Sequence, residues 1–174
     1  MFVLAHLSDP HLAPLPRPHW RELAGKRMLG YLHWRKTRHR IHRAGQVEAL
    51  VRDLLAQAPD HVAVTGDLVN IALEAEFLQA RAWLHGLGAP HDVTLVPGNH
   101  DAYVRAALAA HATWQDFMRD DSANAPAPRF PFVRRRGPLA LIGLSSAVPT
   151  SPSCGTDASL RRRLGGVPRG PGPA

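Results

Sequence analysis

The feature that most constrains this chain is an apolar run that ends in an acidic residue, because it occurs three times. The runs are FVLAHLSD at 2–9, HVAVTGD at 61–67 and DVTLVPGNHD at 92–101. Each has the length and composition of a buried strand. Stripes at helical spacing separate them, namely Val47, Leu50, Val51, Leu54 and Leu55, then Phe77, Ala80, Leu84 and Leu87. Strands that alternate with helices pair in parallel, so the sequence predicts an α/β fold of mainly parallel strands with flanking helices.

The rest of the chain divides into a continuation of this fold and a tail of different composition. A further helix is predicted from Ala102 to about Arg119, with Val104, Ala107, Leu108 and His111 on one face. LALIGLSSA, from Leu139, returns to strand. After Pro149 the sequence is rich in Gly, Pro and Arg without apolar periodicity. We therefore expect one domain over 1–148, with a basic insertion at 13–44, and a disordered or frame-shifted tail over 149–174.

The formal charge of +7 is concentrated in one segment. Between Arg17 and Arg43 nine Lys or Arg residues face one acid, Glu22, which gives that segment +8. A domain-wide nucleic-acid surface is therefore not expected, nor is a specific nucleic-acid partner. Three readings of the segment stay open: a structural cap, an attractor of phosphate groups, or a contact with an anionic membrane surface through residues 17–43.

The first residues and the cysteine content favour a cytoplasmic setting, with peripheral contact at the inner membrane face left open. The start MFVLAHLSDPH lacks a basic leader and reaches Asp9 too early for a signal peptide or a spanning helix. Cys154 is the single cysteine, so no intramolecular disulfide can form. A reducing compartment is the simplest expectation.

Polar clusters follow each predicted strand, at the edge where open parallel sheets bind ligands. Asp9 and His11 follow the first, Asp67 the second, and Asn99, His100 and Asp101 the third. In an extended segment, residues two apart point to the same side, so Asp9 and His11 are expected to hold one ion together. Carboxylate, imidazole and amide ligands suit Mn, Fe, Zn or Ni. Two such ions would form a clamp for a phosphate group.

The motifs DPH at 9–11, GDLVN at 66–70 and GNHD at 98–101 resemble those of the calcineurin-like metallophosphoesterases. Within that superfamily, the chain is similar to bacterial proteins grouped with cyclic-nucleotide phosphodiesterases. The resemblance implies the N-terminal portion of an α/β/β/α sandwich with an incomplete second sheet. It also implies two divalent metal ions and a phosphate-ester small-molecule substrate.

The same resemblance implies a role for each motif residue. Asp9 and His11 would bind the first metal ion, Asp67 would bridge both ions, and Asn99 would bind the second. His100 would be catalytic, facing the substrate to stabilise the phosphate or protonate the leaving oxygen. Asp101 would act with it by orienting its ring.

The chain departs from the family pattern in two ways. Asn70 stands where an Asp is frequent, at a supporting position. After Asp101 only His111 remains, without the further ligand histidines and the Gly-His-x-His motif of the family. His111 itself, on a helical stripe, is predicted to be a packing residue. We therefore expect a truncated or frame-shifted phosphoesterase with impaired activity. The alternatives are a non-catalytic remnant that binds anionic partners through its basic insertion, and a basic nucleic-acid module.

Overall fold

The computed structural model describes residues 1–38, 44–121 and 129–149. Its strands are β1 (Leu4–Ser8), β2 (His61–Thr65), β3 (Val93–Val96), β4 (Phe132–Arg136) and β5 (Leu139–Gly143). Its α-helices are α1 (Lys26–His33), α2 (Ala44–Ala56), α3 (Glu74–Leu87) and α4 (Ala107–Ala110). Two 3-10 segments, Trp20–Leu23 and His111–Met118, and a π-helical turn, Trp34–Arg38, complete the regular structure.

Strands β1, β2 and β3 form a parallel sheet, as predicted, and their order in the sheet is that of the sequence. Leu4 pairs with His61 in register, and Val62 pairs with Val93. Because all three strands run the same way, their carboxyl ends and the loops that follow lie at one edge of the sheet. The predicted α/β class is confirmed, and this edge is where the polar clusters lie.

The core lies between the parallel sheet and the helices around it. Phe77, Ala80 and Leu84 of α3 are fully buried with Val64 and Leu95 of the sheet. Apolar residues of α2, among them those at 47, 51 and 54, pack against this core while partly buried. The predicted stripe of α3 is therefore buried, whereas in the predicted stripe of α2 Leu50 and Leu55 are exposed, so that only part of it packs against the core.

A second sheet consists of the antiparallel pair β4 and β5. The strand predicted from Leu139 is confirmed, whereas β4 was not expected because its sequence, FVRRR, contains three consecutive arginines. Arg134 of β4 is nevertheless buried, and its guanidinium donates to the carbonyls of Arg119, Pro90, Val93 and Asp116. These bonds connect the second sheet to the loop before β3 and to the segment after α4.

The continuous helix predicted over 102–119 was wrong. The chain turns after Asp101, forms only the short α4, and continues as 3-10 helix from His111 to Met118. Tertiary contacts fix this path: His111 Nε2 lies 2.9 Å from the carbonyl of Asp101, and Trp114 Nε1 donates to the carbonyl of Phe77 at 2.9 Å. Since the rings of His111 and Trp114 also stack at 5.9 Å, the packing role predicted for His111 agrees with its surroundings.

The described part of the basic insertion forms helix α1 and its flanking turns, and no residue of it pairs in either sheet. It lies beside the strand-end edge, where the Arg27 guanidinium donates to the carbonyls of Ile71 and Ala72. Residues 39–43 and the tail from 150 onward, on which the frame-shift expectation depends, lie outside the described residues. Within the described ranges, no helix has the length and apolarity needed to cross a membrane.

Candidate metal centre

The loops that follow β1 and β2 are joined by backbone hydrogen bonds. His11 N–H donates to the carbonyl of Asp67 at 3.0 Å, and Leu12 N–H donates to that of Leu68 at 2.9 Å. The two loops therefore continue side by side beyond the ends of their strands. This pairing places His11 and Asp67 against one another.

The loops after β2 and β3 are joined by the carboxylate of Asp101. Its oxygens accept from the amides of Asp67, Leu68, Val69 and Gly98, at 2.8–3.1 Å. Burial raises the pKa of Asp101 to about 7, against the opposing effect of these amide donors. In these contacts the Asp101 carboxylate accepts only from backbone amides. The Nδ1 atom of His100 lies 2.7 Å from the carbonyl of Asn70. The ring-orienting task expected of Asp101 stays a prediction, and in this structure the Asn70 carbonyl contacts the His100 ring at Nδ1.

Two glycines allow the same loops to approach each other. A Cβ on Gly66 would lie 2.6 Å from the Cα of Gly98, and a Cβ on Gly98 would overlap the Asp67 carboxylate and lie 2.7 Å from the Asp67 nitrogen. Real Cβ atoms are not found so close to other heavy atoms. Both positions therefore need glycine for Asp67 to sit between the loops.

The backbone is left-handed at three of the predicted ligands. Asp9, His11 and Asp67 have φ values of 51°, 38° and 52°. The expectation that Asp9 and His11 share a face of an extended segment was wrong, since β1 ends at Ser8 and both residues leave the extended region. Non-glycine residues in this conformation cluster at functional sites, where the surrounding structure holds them.

Within the part of the chain that the structure describes, one group of ligand-type side chains comes together: His11, Asp67 and His100, whose ligand atoms all lie within 4.8 Å of one another. His11 Nε2 is 3.9 Å from an Asp67 carboxylate oxygen, and the two imidazole rings meet edge to face at 4.9 Å. His11 Nδ1 lies 3.3 Å from the Val69 carbonyl. A carbonyl at Nδ1 of each histidine favours the tautomer with its lone pair on Nε2, as in histidines that bind metals.

The electrostatics of this group favour a cation. Burial raises the pKa of Asp67, and the nearby Asp9 carboxylate, which is within hydrogen-bonding reach, raises it further. The amide of His100 donates to Asp67 at 2.8 Å and opposes this rise in pKa. Two carboxylates and two imidazoles at one sheet edge are a donor set suited to a divalent transition metal ion. The residues present therefore fit such an ion.

Asp9 and Asn99 are less tightly placed by the structure. Asp9 lies beside Asp67 and accepts from the Ser8 hydroxyl, but it does not belong to the group of three. Asn99 is partly buried in the loop after β3. Their ligand roles, and the bridging role of Asp67, stay predictions.

Sequence reasoning missed Glu76, which shapes the loop that carries Asn70. This buried carboxylate accepts from the amides of Asn70, Ile71 and Leu73, at 2.6–3.2 Å, and burial raises its pKa. It thereby fixes the loop whose Asn70 carbonyl contacts His100. The sequence did carry a signal for this role, because Glu76 lies in the first turn of a predicted helix, where an acid can accept from backbone amides.

The comparison with protein families agrees with this geometry. The model of the calcineurin-like phosphoesterase family matches residues 2–148. The chain belongs to the calcineurin-like phosphoesterases. No curated protein matches it. Membership supports metal-dependent hydrolysis of phosphoric esters in general, and it agrees with the donor set at the strand ends.

Proposed function

We propose that this calcineurin-like phosphoesterase hydrolyses phosphodiesters with two divalent ions at its strand-end edge. The observation that carries the proposal is the group His11, Asp67 and His100, with Asp9 beside it. His11, Asp9 and Asp67 would hold the first ion, and Asp67 with Asn99 the second. When bound, the ions supply activation of water and neutralisation of phosphate charge.

The chain's own residues then divide the remaining work. Asp67 is held between Gly98 and the amide of His100, so its position is fixed before any ligand arrives. The Asn70 carbonyl fixes the His100 ring at Nδ1 and so directs Nε2 away from that loop. We assign His100, in the imidazolium form that carries a proton on Nε2 as well as on Nδ1, to the substrate phosphate, which it would stabilise or whose leaving oxygen it would protonate.

The second ion should bind more weakly than the first in this chain. Asp9, His11 and Asp67 give the first ion three protein ligands, whereas Asp67 and Asn99 give the second only two. The sequence offers no histidine after His111. We therefore propose impaired activity and a cyclic-nucleotide or other small phosphodiester as substrate class, in line with the motif resemblance.

Calorimetric titration with Mn²⁺ and hydrolysis of bis(p-nitrophenyl) phosphate test this function. We expect one stronger site and a second at least tenfold weaker, together with Mn²⁺-dependent turnover. His11→Ala should abolish the stronger site, whereas His91→Ala, an exposed histidine, serves as the matched control. Two sites of equal affinity, or turnover without added metal, would contradict the proposal.

The role of His100 can be separated from that of a ligand. If His100 acts on the substrate, His100→Ala should leave Mn²⁺ affinity within about threefold and lower kcat by about a hundredfold or more. A tenfold or larger loss of metal affinity would instead make His100 a ligand, as its place in the group of three allows.

The second candidate, attachment to an anionic surface, is favoured by one observation. Around the arginines of the insertion, Trp20 and Leu32 expose 72% and 54% of their surfaces. Basic residues beside exposed apolar ones favour anionic membrane surfaces. Sedimentation with phosphatidylserine-containing vesicles should retain the protein, phosphatidylcholine vesicles should not, and Trp20→Ala should weaken retention. Equal retention by both vesicle types would reject this candidate.

A further inference from the structure

A cavity of about 250 Å³ lies between the basic insertion and the strand-end loops. The insertion supplies Leu29, Gly30 and Trp34, while the loops supply Ile71, His100 and Tyr103. His100 therefore belongs both to the candidate metal centre and to the wall of this cavity. A phosphate held at the metal centre would have one of its ester substituents beside the cavity.

The cavity is formed by close docking of α1. A Cβ on Gly30 would lie 2.5 Å from the Tyr103 hydroxyl oxygen and 2.8 Å from Ile71 Cγ2. The Tyr103 hydroxyl in turn donates to the carbonyl of Lys26, at 3.5 Å. Because Gly30 lacks a side chain, the backbone of α1 reaches the loops that carry the metal centre, and the cavity lies directly beside that centre.

The walls of the cavity are mainly apolar and partly aromatic, which favours a flat, apolar group. Leu29, Trp34, Ile71 and Tyr103 present apolar surface, His33, Asn70 and His100 are the polar lining residues, and among the described lining residues none carries a carboxylate. The Tyr103 ring stacks on that of His100 with centroids 5.6 Å apart and planes 16° apart. The Lys26 ammonium also lies over the Tyr103 ring, 4.3 Å from its centroid. Aromatic walls of this kind favour offset-stacked or edge-to-face contacts with another ring.

The volume agrees with a ring-sized guest. An apolar cavity of roughly 150 Å³ suffices to bind benzene, so the 250 Å³ here can take one ring with substituents. Building on the proposed function, we propose that this cavity binds an aromatic or similarly flat, apolar substituent of the phosphate ester. The preferred substrates are then aryl or heteroaryl phosphoesters, and the insertion is the element that selects them.

The test compares two inert ligands that share a phosphonate and differ in their substituent. Phenylphosphonate and methylphosphonate are titrated calorimetrically into the Mn²⁺-loaded protein. The wild type should bind phenylphosphonate about tenfold more tightly than methylphosphonate, which corresponds to a difference of ~1.4 kcal/mol in binding free energy. Burial of about 60 Å² of the phenyl ring accounts for a difference of this size. Bis(p-nitrophenyl) phosphate hydrolysis is measured on the same samples.

Two variants address the cavity and one serves as control. Leu29→Gln places a polar group on the wall at a position that is 60% exposed, so the fold should tolerate it. Gly30→Leu fills the space near Tyr103 and Ile71. Both should reduce the preference for phenylphosphonate below about threefold. Leu32→Gln, on the same helix but outside the cavity wall, should retain the full preference.

The outcomes separate this inference from the proposed function. Hydrolysis with equal affinity for both phosphonates would overturn the cavity assignment and leave the phosphoesterase intact. The preference without hydrolysis would support the cavity and reject the proposed catalysis. A preference that persists in Leu29→Gln, with the fold intact by circular dichroism, would overturn the assignment even if Gly30→Leu fails to fold.

Discussion

Two buried charges organise this fold in opposite ways. At the strand-end edge, the Asp101 carboxylate accepts from four backbone amides and joins the loops after β2 and β3. At the junction of the two sheets, the Arg134 guanidinium donates to four backbone carbonyls. Burial favours the neutral form of each group. It raises the pKa of Asp101 to about 7 and lowers the pKa of Arg134 to about 10.

The difference lies in what each charge supports. Asp101 fixes Asp67 and the turn of Gly98 beside it, so its bonds set the geometry of the metal centre. The bonds of Arg134 hold β4 against the loop before β3 and the segment after α4. Substitution at Asp101 should therefore change metal affinity and stability together, whereas substitution at Arg134 should change stability alone.

The largest effect is expected for Asp101→Asn. The new NH₂ group would face amides that now donate to a carboxylate oxygen, which costs about 1–3 kcal/mol for each unsatisfied buried donor. We expect the free energy of unfolding to fall by about 4 kcal/mol and Mn²⁺ affinity to fall at least tenfold. Urea denaturation and calorimetry measure both, with exposed Asp53→Asn as control. Unchanged Mn²⁺ affinity in this variant would show that Asp101 does not set the geometry of the candidate metal centre.

The second largest effect is expected for Arg134→Met, which should lower the free energy of unfolding by about 3 kcal/mol. The carbonyls that Arg134 satisfies would lose their donor, although methionine places no charge at this position. Mn²⁺ affinity measured below the unfolding transition should stay within about twofold of the wild type. Arg135→Met, at an exposed position of the same strand, is the matched control. A parallel loss of metal affinity would show that the two regions are coupled.

A smaller, pH-dependent effect is expected at His61, which lies near Arg134. Its Nε2 is 2.7 Å from the Thr94 hydroxyl, and burial, followed by the charges of Arg136 and Arg134, lowers its pKa from 6.5 to about 4. Between pH 4 and pH 6.5 His61 binds a proton in the unfolded chain but not in the folded chain. Stability should therefore rise with pH across this window, by about 2 kcal/mol from pH 5 to pH 7.

The measurement is the difference in stability between the wild type and His61→Gln at pH 5 and at pH 7. Glutamine carries no titratable group, so the variant should lack this part of the pH dependence. The raised pKa of Asp101 acts in the opposite direction, because its folded form retains a proton that the unfolded form loses. Identical pH profiles for both proteins would exclude His61 as the cause.

The smallest expected effect is a gain in stability when Gly86 is replaced by alanine. A Cβ there would meet nothing within 4 Å, and the residue lies inside α3. Gly86→Ala should raise stability by about 0.5–1 kcal/mol through helix propensity. Thermal denaturation measures the gain, and the variant provides a more stable host for Asp101→Asn. A loss of stability would mean that the surroundings of α3 are tighter than this structure shows.

What the sequence could predict depends on how local each signal is. The three parallel strands were predictable because apolar runs and helical stripes repeat within a few residues, and the ligand clusters followed from the strand ends. Three of the four amide partners of Asp101 lie more than thirty residues away, so its task depends on how two loops meet. Arg134 was missed because three consecutive arginines are typical of a surface, whereas here the first of them is buried and donates to carbonyls on other elements.

The left-handed backbone at Asp9, His11 and Asp67 has a consequence for directed evolution. Each position costs about 1 kcal/mol or more in a conformation that glycine adopts freely. A library screened only for thermal resistance would therefore enrich glycine there and lose the predicted metal ligands one by one. Stability and catalysis select opposite residues at these three places, so a stabilised version of this protein should be sought with positions 9, 11 and 67 held constant.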